Sequence, residues 1–314
     1  MEDGLFVSVI IPTHNRSAIL RKALTAYQDQ DYPSHLFDIV VVDDGSADET
    51  RNVVERFSRE GRLQVFYYYQ DNQGPAGARN LGIRSCRGEI ALIVNDDTIP
   101  SRNLISRHVD DHRLYRDEYY AVLGLFTWSP ELRVTPFMRW LENGGPQSSY
   151  GKIKRQWAHW SQLWTCNISF KKRFLTRGGM FDEDFTFAAW EDVELGYRLN
   201  RLGLKLLYDS KALAYHYHPT SLASVIERMK KHGASLLVLE KKTLNVKGLP
   251  PLARPKLAVL WDGLDRVFFS WPVEKLMMAI ATFAETRFNL SLIYDLLLLH
   301  YRIVGRREYI GTYA

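Results

Sequence analysis

Val7-Ser8-Val9-Ile10-Ile11-Pro12-Thr13-His14-Asn15 decides the fold class. Residues 7–11 are β-branched apart from Ser8, an apolar run too continuous for a strand with one face in water. It suits a parallel strand covered on both faces. Pro12 ends the run because it brings no N–H to a ladder, and polar residues follow it. Outward from this stretch, comparable runs stand at 38–42, 63–69 and 89–94. The intervals between them are about a dozen residues or more, the length that a crossover helix needs. The reading is βαβαβαβ, an α/β domain.

Helix signals agree with that layout. Ser17 starts a helix expected to run through Gln28, and Ser46-Ala47-Asp48-Glu49 has the form of a capping box after the turn Asp44-Gly45. Pro75 suits the first turn of a helix ending near Arg87-Gly88. Residues 99–150 are less regular, and 142–149 read as an exposed loop able to act as a lid. Further on, the pattern predicts a strand at 163–170, a turn at Gly178-Gly179, a helix over 191–202 stopped by Gly203, and a strand at 205–208. Beyond Ser221 the chain reads as helical, punctuated by prolines at 250, 251, 255 and 272.

Of the 314 residues, 46% are hydrophobic and 25% charged, ordinary usage for a folded protein with no low-complexity tract. Cys86 and Cys166 form no zinc-ligand spacing, and a reducing compartment is expected. The acids near the N-terminus and the short apolar run after them do not resemble a signal peptide. The apolar stretch 276–301 is broken by Glu285, Arg287, Asn289 and Asp295, which argues against a membrane span. A net charge of +5 favours phosphate-bearing partners without choosing among them.

Ligands of an open parallel sheet bind beyond the carboxyl ends of its strands. Those ends here read Pro12-Thr13-His14-Asn15, Asp43-Asp44-Gly45-Ser46, Asp71-Asn72-Gln73-Gly74 and Asn95-Asp96-Asp97-Thr98. Asp43-Asp44 can be a turn and cap, or can accept from a nucleobase N–H and a ribose hydroxyl. Asp96 and Asp97, behind a buried strand, repel unless a cation or donor groups neutralise them, and Mg²⁺ or Mn²⁺ takes carboxylate and diphosphate oxygens together. The segment 71–85 opens a helix with small residues and Arg79, where backbone N–H groups and a guanidinium can meet phosphate, or where Gly74 and Gly77 serve close packing. No G-x-G-x-x-G or Walker A loop is present, which argues against a nicotinamide or P-loop enzyme. Trp190-Glu191-Asp192 puts two acids at a helix start, as dipole partners or as a general base. His216 and His218 alternate so as to share a strand face, where either can ligate a metal.

Taken together, VSVIIPTHN, VVDDGSADET, NQGPAGARNLGI, NDD and AWEDVELGYRL, spread over about residues 5–220, resemble the family 2 inverting glycosyltransferases of GT-A fold. The resemblance implies a Rossmann-like, mostly parallel central sheet flanked by helices, with a C-terminal helical extension. It implies a metal-dependent, hexosyltransferase-type enzyme of bacterial-type polysaccharide or glycoconjugate synthesis, moving a sugar from a nucleotide-diphosphate donor to an acceptor hydroxyl. Asp44, with Pro12, Thr13 and Asn15, would contact the nucleobase; Arg79 would approach the donor and Asp96 would face ribose or metal. Asp97 and His218, with His216 as the alternative, would hold Mn²⁺ or Mg²⁺, and Asp192 would be the catalytic base. The family's D-x-D begins at position 95, where this chain has Asn95, so ribose contact shifts to Asp96.

The expected parts are 1–100 for donor binding, 101–220 for acceptor binding and catalysis, and 221–314 as the helical extension. Residues 225–242 read as a basic amphipathic helix that can rest on anionic membrane and meet a lipid-linked or glycan acceptor, or pack on the catalytic domain. Residues 261–301 carry more apolar side chains than one thin helical layer buries, which suggests a homodimer interface. No nucleic-acid partner is expected, and the expected location is the cytoplasm, at the inner face of the membrane. Two rivals stand beside transfer: a sugar-nucleotide or glycan-binding module of the same fold without turnover, and a nucleotidyltransferase, which lacks its Lys-bearing triphosphate loop here.

Overall fold

A computed structural model describes residues 4–145, 149–242 and 255–313. The chain divides into two compact units, one of Met1–Leu132, Ile153–Thr186 and Leu195–His218, the other of Arg133–Lys152, Phe187–Glu194 and Pro219–Ala314.

The first unit opens as the sequence predicts. Strands β1 (Val7–Thr13), β2 (Phe37–Asp44), β3 (Val65–Gln70) and β4 (Ile90–Val94) alternate with helices α1 (Ser17–Tyr27), α2 (Thr50–Glu60) and α3 (Gly74–Ser85). They lie in the order β3-β2-β1-β4, every neighbouring pair parallel. Val7, Val9 and Ile11 pack with Leu20, Leu24 and Val54 of α1 and α2 on one sheet face. On the other face Gly82 of α3 lies so close to Ile10 that a Cβ there would overlap its side chain. Both faces of β1 are therefore covered, which is why its sequence is continuously apolar. Each fully buried Val, Leu or Ile contributes about 1.5–3 kcal/mol, offset by the entropy of ordering the chain.

The remaining elements in chain order are β5 (Thr98–Pro100), α4 (Leu104–Leu114), β6 (Tyr120–Trp128), α5 (Pro136–Asn143, in the second unit), β7 (Trp157–Ala158), β8 (Asn167–Lys171), α6 (Lys172–Arg177), α7 (Glu191–Arg201) and β9 (Lys205–His216). The sheet continues β4-β8-β6-β9-β5, with β7 on β9, and this half is mixed: β8 runs antiparallel to β4 and β6, while β6 and β9 are parallel. The register of β6 and β9 shifts after Gly124, and the buried Asn167 amide fills the irregularity by donating to Leu125 O and Ala212 O. Ser169 of β8 bonds the buried imidazoles of His108 and His112 on α4. Burial drives both rings to their neutral form, that of His108 down to about 4, so this cluster is a core network.

Several local expectations change. The capping box does not form: α2 begins at Thr50, and Asp48, not Ser46, accepts from the Thr50 N–H and hydroxyl. Ser46 is held away because its hydroxyl accepts from Asn15 N and its own N–H donates to Asp43. The irregular stretch 99–150 contains α4 and β6, whose half-buried faces mask their periodicity. The predicted strand 163–170 narrows to Asn167–Lys171, and 205–208 extends to His216. In the proposed lid, Glu142 and Asn143 end α5, and Pro146, Gln147 and Ser148 lie outside the described residues.

The second unit adds α8 (Leu222–Lys242), α9 (Pro255–Phe268), α10 (Trp271–Ala284) and α11 (Ser291–Tyr313). Val225, Ile226 and Met229 of α8 are buried with Phe137 and Leu141 of α5 and Leu297 and Leu298 of α11. The apolar side of 225–242 is thus spent inside the unit. Among the described residues no single helix is long and apolar enough to cross a membrane.

Candidate active site

The carboxyl end of β4 turns sharply, with Thr98 N donating to Asn95 O and Asn95 N to the Thr98 hydroxyl. This turn buries Asp96 and Asp97, about 4% and 5% exposed, side by side. The cation such a pair requires comes from Arg16, at the end of the loop after β1. Its Nη1 donates to Asp96 Oδ1 at 2.8 Å, and its Nη2 donates to Asp97 Oδ2 at 3.0 Å and to His218 Nδ1 at 2.9 Å. Thr13, the last residue of β1, donates its hydroxyl to the other Asp96 oxygen at 2.9 Å.

His216 closes the cluster. Its Nε2 lies 3.4 Å from Asp97 Oδ2, and its ring stacks on Trp128 and tilts against Phe126. The His218 ring stacks beside it, 5.9 Å between centroids. His216 ends β9 and His218 lies beyond it, so the two rings share a stack although only one is on a strand. Burial and the Asp97 charge push the Asp96 carboxyl up, against Arg16 and Thr13. Burial works on Asp97 in the same sense, but His216, Arg16 and His218 outweigh it and hold Asp97 well below the usual carboxylate range. Of the two acids, Asp97 is the one whose ionised form its neighbours favour more.

Beside this cluster the loop after β1 meets the loop after β2. Asn15 adopts a left-handed φ of 53°, which lets its side chain accept from Ala47 N while its own N–H reaches Ser46. His14 Nδ1 donates to Asp44 O at 2.7 Å, and Pro12 is half-buried. Asp43 accepts from Ser46 N and the Tyr67 hydroxyl. Asp44 accepts from Gln70 Nε2, Gln73 N and Gly74 N, so in this structure its carboxylate caps α3. Gly74 is required there: its φ is +84°, and a Cβ would fall 2.5 Å from Thr186 O. Arg79 lies inside α3 instead of at its start, about 4% exposed with its guanidinium 5.4 Å from the Phe181 ring centroid.

Asp192 stands in the first turn of α7, half-buried, with Glu191 and Glu194 of that turn buried. Trp190 just before it holds φ at +71°, a costly conformation for an aromatic residue, and donates its indole N–H to His232 O. The structure thus brings Thr13, Asp96, Asp97, His216 and His218 together and sets Pro12 and Asp44 at the adjoining ends of β1 and β2, with Asn15 in the loop after β1. Asp192 belongs to the second unit's part of α7. Arg16 is the residue that sequence reasoning missed. The signal for it was the acid pair itself, which demanded a cation, but the contact spans 80 residues.

The fit of a divalent ion can be judged from the donor atoms. Asp97 Oδ1 is buried without a hydrogen-bond partner, and an imidazole, a carboxylate and diphosphate oxygens form a set that Mn²⁺ accepts. Among the described residues, however, no three His, Cys, Asp or Glu side chains are arranged to hold a metal by themselves. The guanidinium of Arg16 occupies the face of the acid pair that a cation would share.

Residues 8–176 match the family described as glycosyl transferase family 2. The chain belongs to that family. Similar family relatives are a chondroitin synthase of Pasteurella multocida, 28% identical over 75% of this chain and 27% of the relative, and a validoxylamine A glucosyltransferase of Streptomyces hygroscopicus, 30% identical over 64% of this chain and 52% of the relative. The chain therefore spans about a quarter to a half of the length of these curated relatives. Among solved structures it is similar to the mannosyltransferase PcManGT from Pyrobaculum calidifontis in complex with GDP-Man and Mn²⁺, with a TM-score of 0.63 and 21% identity over 96% of this chain and 87% of that one. It is also similar to S. aureus TarS 1-349 in complex with UDP, with a TM-score of 0.56 and 21% identity over 98% and 91%. At these identities the likeness is one of fold, the GT-A fold that this glycosyl transferase family 2 chain shares.

Proposed function

We propose that this chain transfers a sugar from a nucleotide-diphosphate donor to an acceptor hydroxyl, with inversion, in polysaccharide or glycoconjugate synthesis at the cytoplasmic face of a membrane. The observation that carries the reading is the buried Asp96-Asp97 turn at the end of β4, inside the family-matched stretch, with one ionised acid oxygen left unpartnered. Family membership and the printed activities of the relatives support it.

In this reading residues 1–100 bind the donor, 101–220 the acceptor, and 221–314 form the extension. The ends of β1 and β2 carrying Pro12, Thr13 and Asp44, with Asn15 in the loop after β1, border the nucleoside, and Arg79 would approach the donor from α3. Asp97 and His218 would hold Mn²⁺ or Mg²⁺, which neutralises a leaving diphosphate when bound. Asp192 takes the acceptor proton as the hydroxyl oxygen bonds to the anomeric carbon and the bond to the diphosphate breaks. That role rests on the Trp190-Glu191-Asp192 sequence, and the strained backbone at Trp190 supports it.

The test is a thermal-shift screen of UDP, GDP and dTDP sugars with Mn²⁺, followed by transfer assays against a glycan panel with the donor that stabilises. Asp192→Asn is expected to keep the donor shift and lose transfer by about a hundredfold or more. Transfer at near wild-type rate in that variant removes Asp192 from the base role, and no shift with any donor overturns the donor-binding reading.

A further inference from the structure

The second unit leaves an apolar face that its own core does not use. Helix α10 turns Met277, Met278, Ala281 and Ala284 inward toward α11. Alongside that inward stripe Val273, Leu276, Ile280 and Phe283 follow one another at helical spacing and are about 40% to 62% exposed. Helix α9 does the same with Leu260, Leu264 and Val267. At the corner between the helices, where the chain bends by 82°, Phe268 and Trp271 are about two-thirds exposed. Monomer surfaces rarely carry so continuous an apolar patch without a partner.

The charges around this face select the partner. Residues 260–290 contain four acids, Asp262, Asp265, Glu274 and Glu285. Each is tied within the unit, to Arg307 and Arg266, to His300, to the Tyr301 hydroxyl and to Leu222 N respectively. Arg266 is paired with Asp262, whereas two other exposed cations stand against aromatic rings: Lys275 Nζ is 3.8 Å from the Trp271 ring centroid and the Arg287 guanidinium 4.4 Å from that of Phe283. Aromatic rings with unpaired cations beside them, and acids that are all engaged within the unit, match the boundary between acyl chains and anionic headgroups. The 82° bend divides this stretch into two short arms, and neither arm is long enough to cross a bilayer alone.

We infer that the outer face of α9 and α10 docks on an anionic lipid surface, with Phe268, Trp271 and Phe283 entering the acyl boundary and Lys275 and Arg287 meeting headgroup phosphates. This deepens the transferase reading by giving the enzyme a place to meet a membrane-borne acceptor, and rests on that reading only for this consequence. It also moves membrane contact from residues 225–242, whose apolar side is buried, to 260–288.

The test is flotation of the full chain with vesicles of phosphatidylcholine containing phosphatidylglycerol, against vesicles of phosphatidylcholine alone. Binding is expected with the anionic vesicles, to fall at high salt, and to drop about tenfold or more in Phe268→Ser/Trp271→Ser/Phe283→Ser. Lys275→Glu/Arg287→Glu should lose the preference for anionic vesicles. All five side chains are exposed, so the variants should keep the wild-type melting temperature and the nucleotide-sugar thermal shift. That shift reads donor binding separately, so its absence in the wild type counts against the transferase reading and not against docking. Docking is overturned if the wild type fails to float with anionic vesicles or if the triple serine variant floats equally well. It is also overturned if light scattering shows a dimer that the serine variant dissolves, since a second copy would then own the face.

Discussion

Arg16 faces both acids of the Asp96-Asp97 turn and the nearer nitrogen of His218, so one guanidinium balances a charge pair that burial would otherwise split. A divalent ion bound at this turn would compete with the guanidinium for the same carboxylates. Arg16→Gln is therefore expected to destabilise the metal-free protein by about 2 kcal/mol, below the usual cost of halving a buried pair because Arg16 is 31% exposed. The same substitution should tighten Mn²⁺ binding, read by calorimetry without donor. Weaker Mn²⁺ binding in the variant would show that Arg16 assists the ion instead of standing in for it. Asp97→Ala should abolish the titration, because it removes the ionised carboxylate and its unpartnered oxygen. The acid pair was legible in the sequence as Asn95-Asp96-Asp97; its partner was not, because nothing local to residue 16 announces a contact with a turn 80 residues away.

Among the elements, α8 and α11 cross at glycines. A Cβ on Gly233 would overlap the carbonyl of Arg302, and one on Gly305 the carbonyl of Lys230. Helix propensity alone predicts that alanine at either site stabilises by about 1 kcal/mol. Close backbone packing predicts the reverse, and Gly233→Ala should cost about 3 kcal/mol in urea unfolding, since neither carbonyl can rotate away. A stabilised variant would mean the helices separate easily. Element types in the first hundred residues were readable because β1, β2 and β4 are buried along their length and α1 begins at Ser17 as its sequence suggests. The α2 cap failed because Asn15, from another loop, claims Ser46. Strand β6 and helix α4 were missed because strand packing on one side and histidine hydrogen bonds on the other replace simple periodicity.

For the whole molecule, the proposed donor binding would link nucleotide, ion and folded chain. At a hundred times its dissociation constant a nucleotide sugar should stabilise the protein by about 2.7 kcal/mol. Adding EDTA should remove most of that gain if Asp97 and His218 hold the ion; an unchanged melting curve would place donor binding on the loops alone. The sequence by itself determined the parallel half of the sheet, the polar strand ends and the family, because continuous apolar runs and turn residues are local properties of the chain. Only the tertiary structure decided that Arg16 neutralises the acid turn, that Asp44 spends its carboxylate on the start of α3, and which helix surfaces face outward. Those outcomes depend on which distant groups reach a buried charge first and on which side of each helix finds a partner, and no single stretch of sequence contains that information.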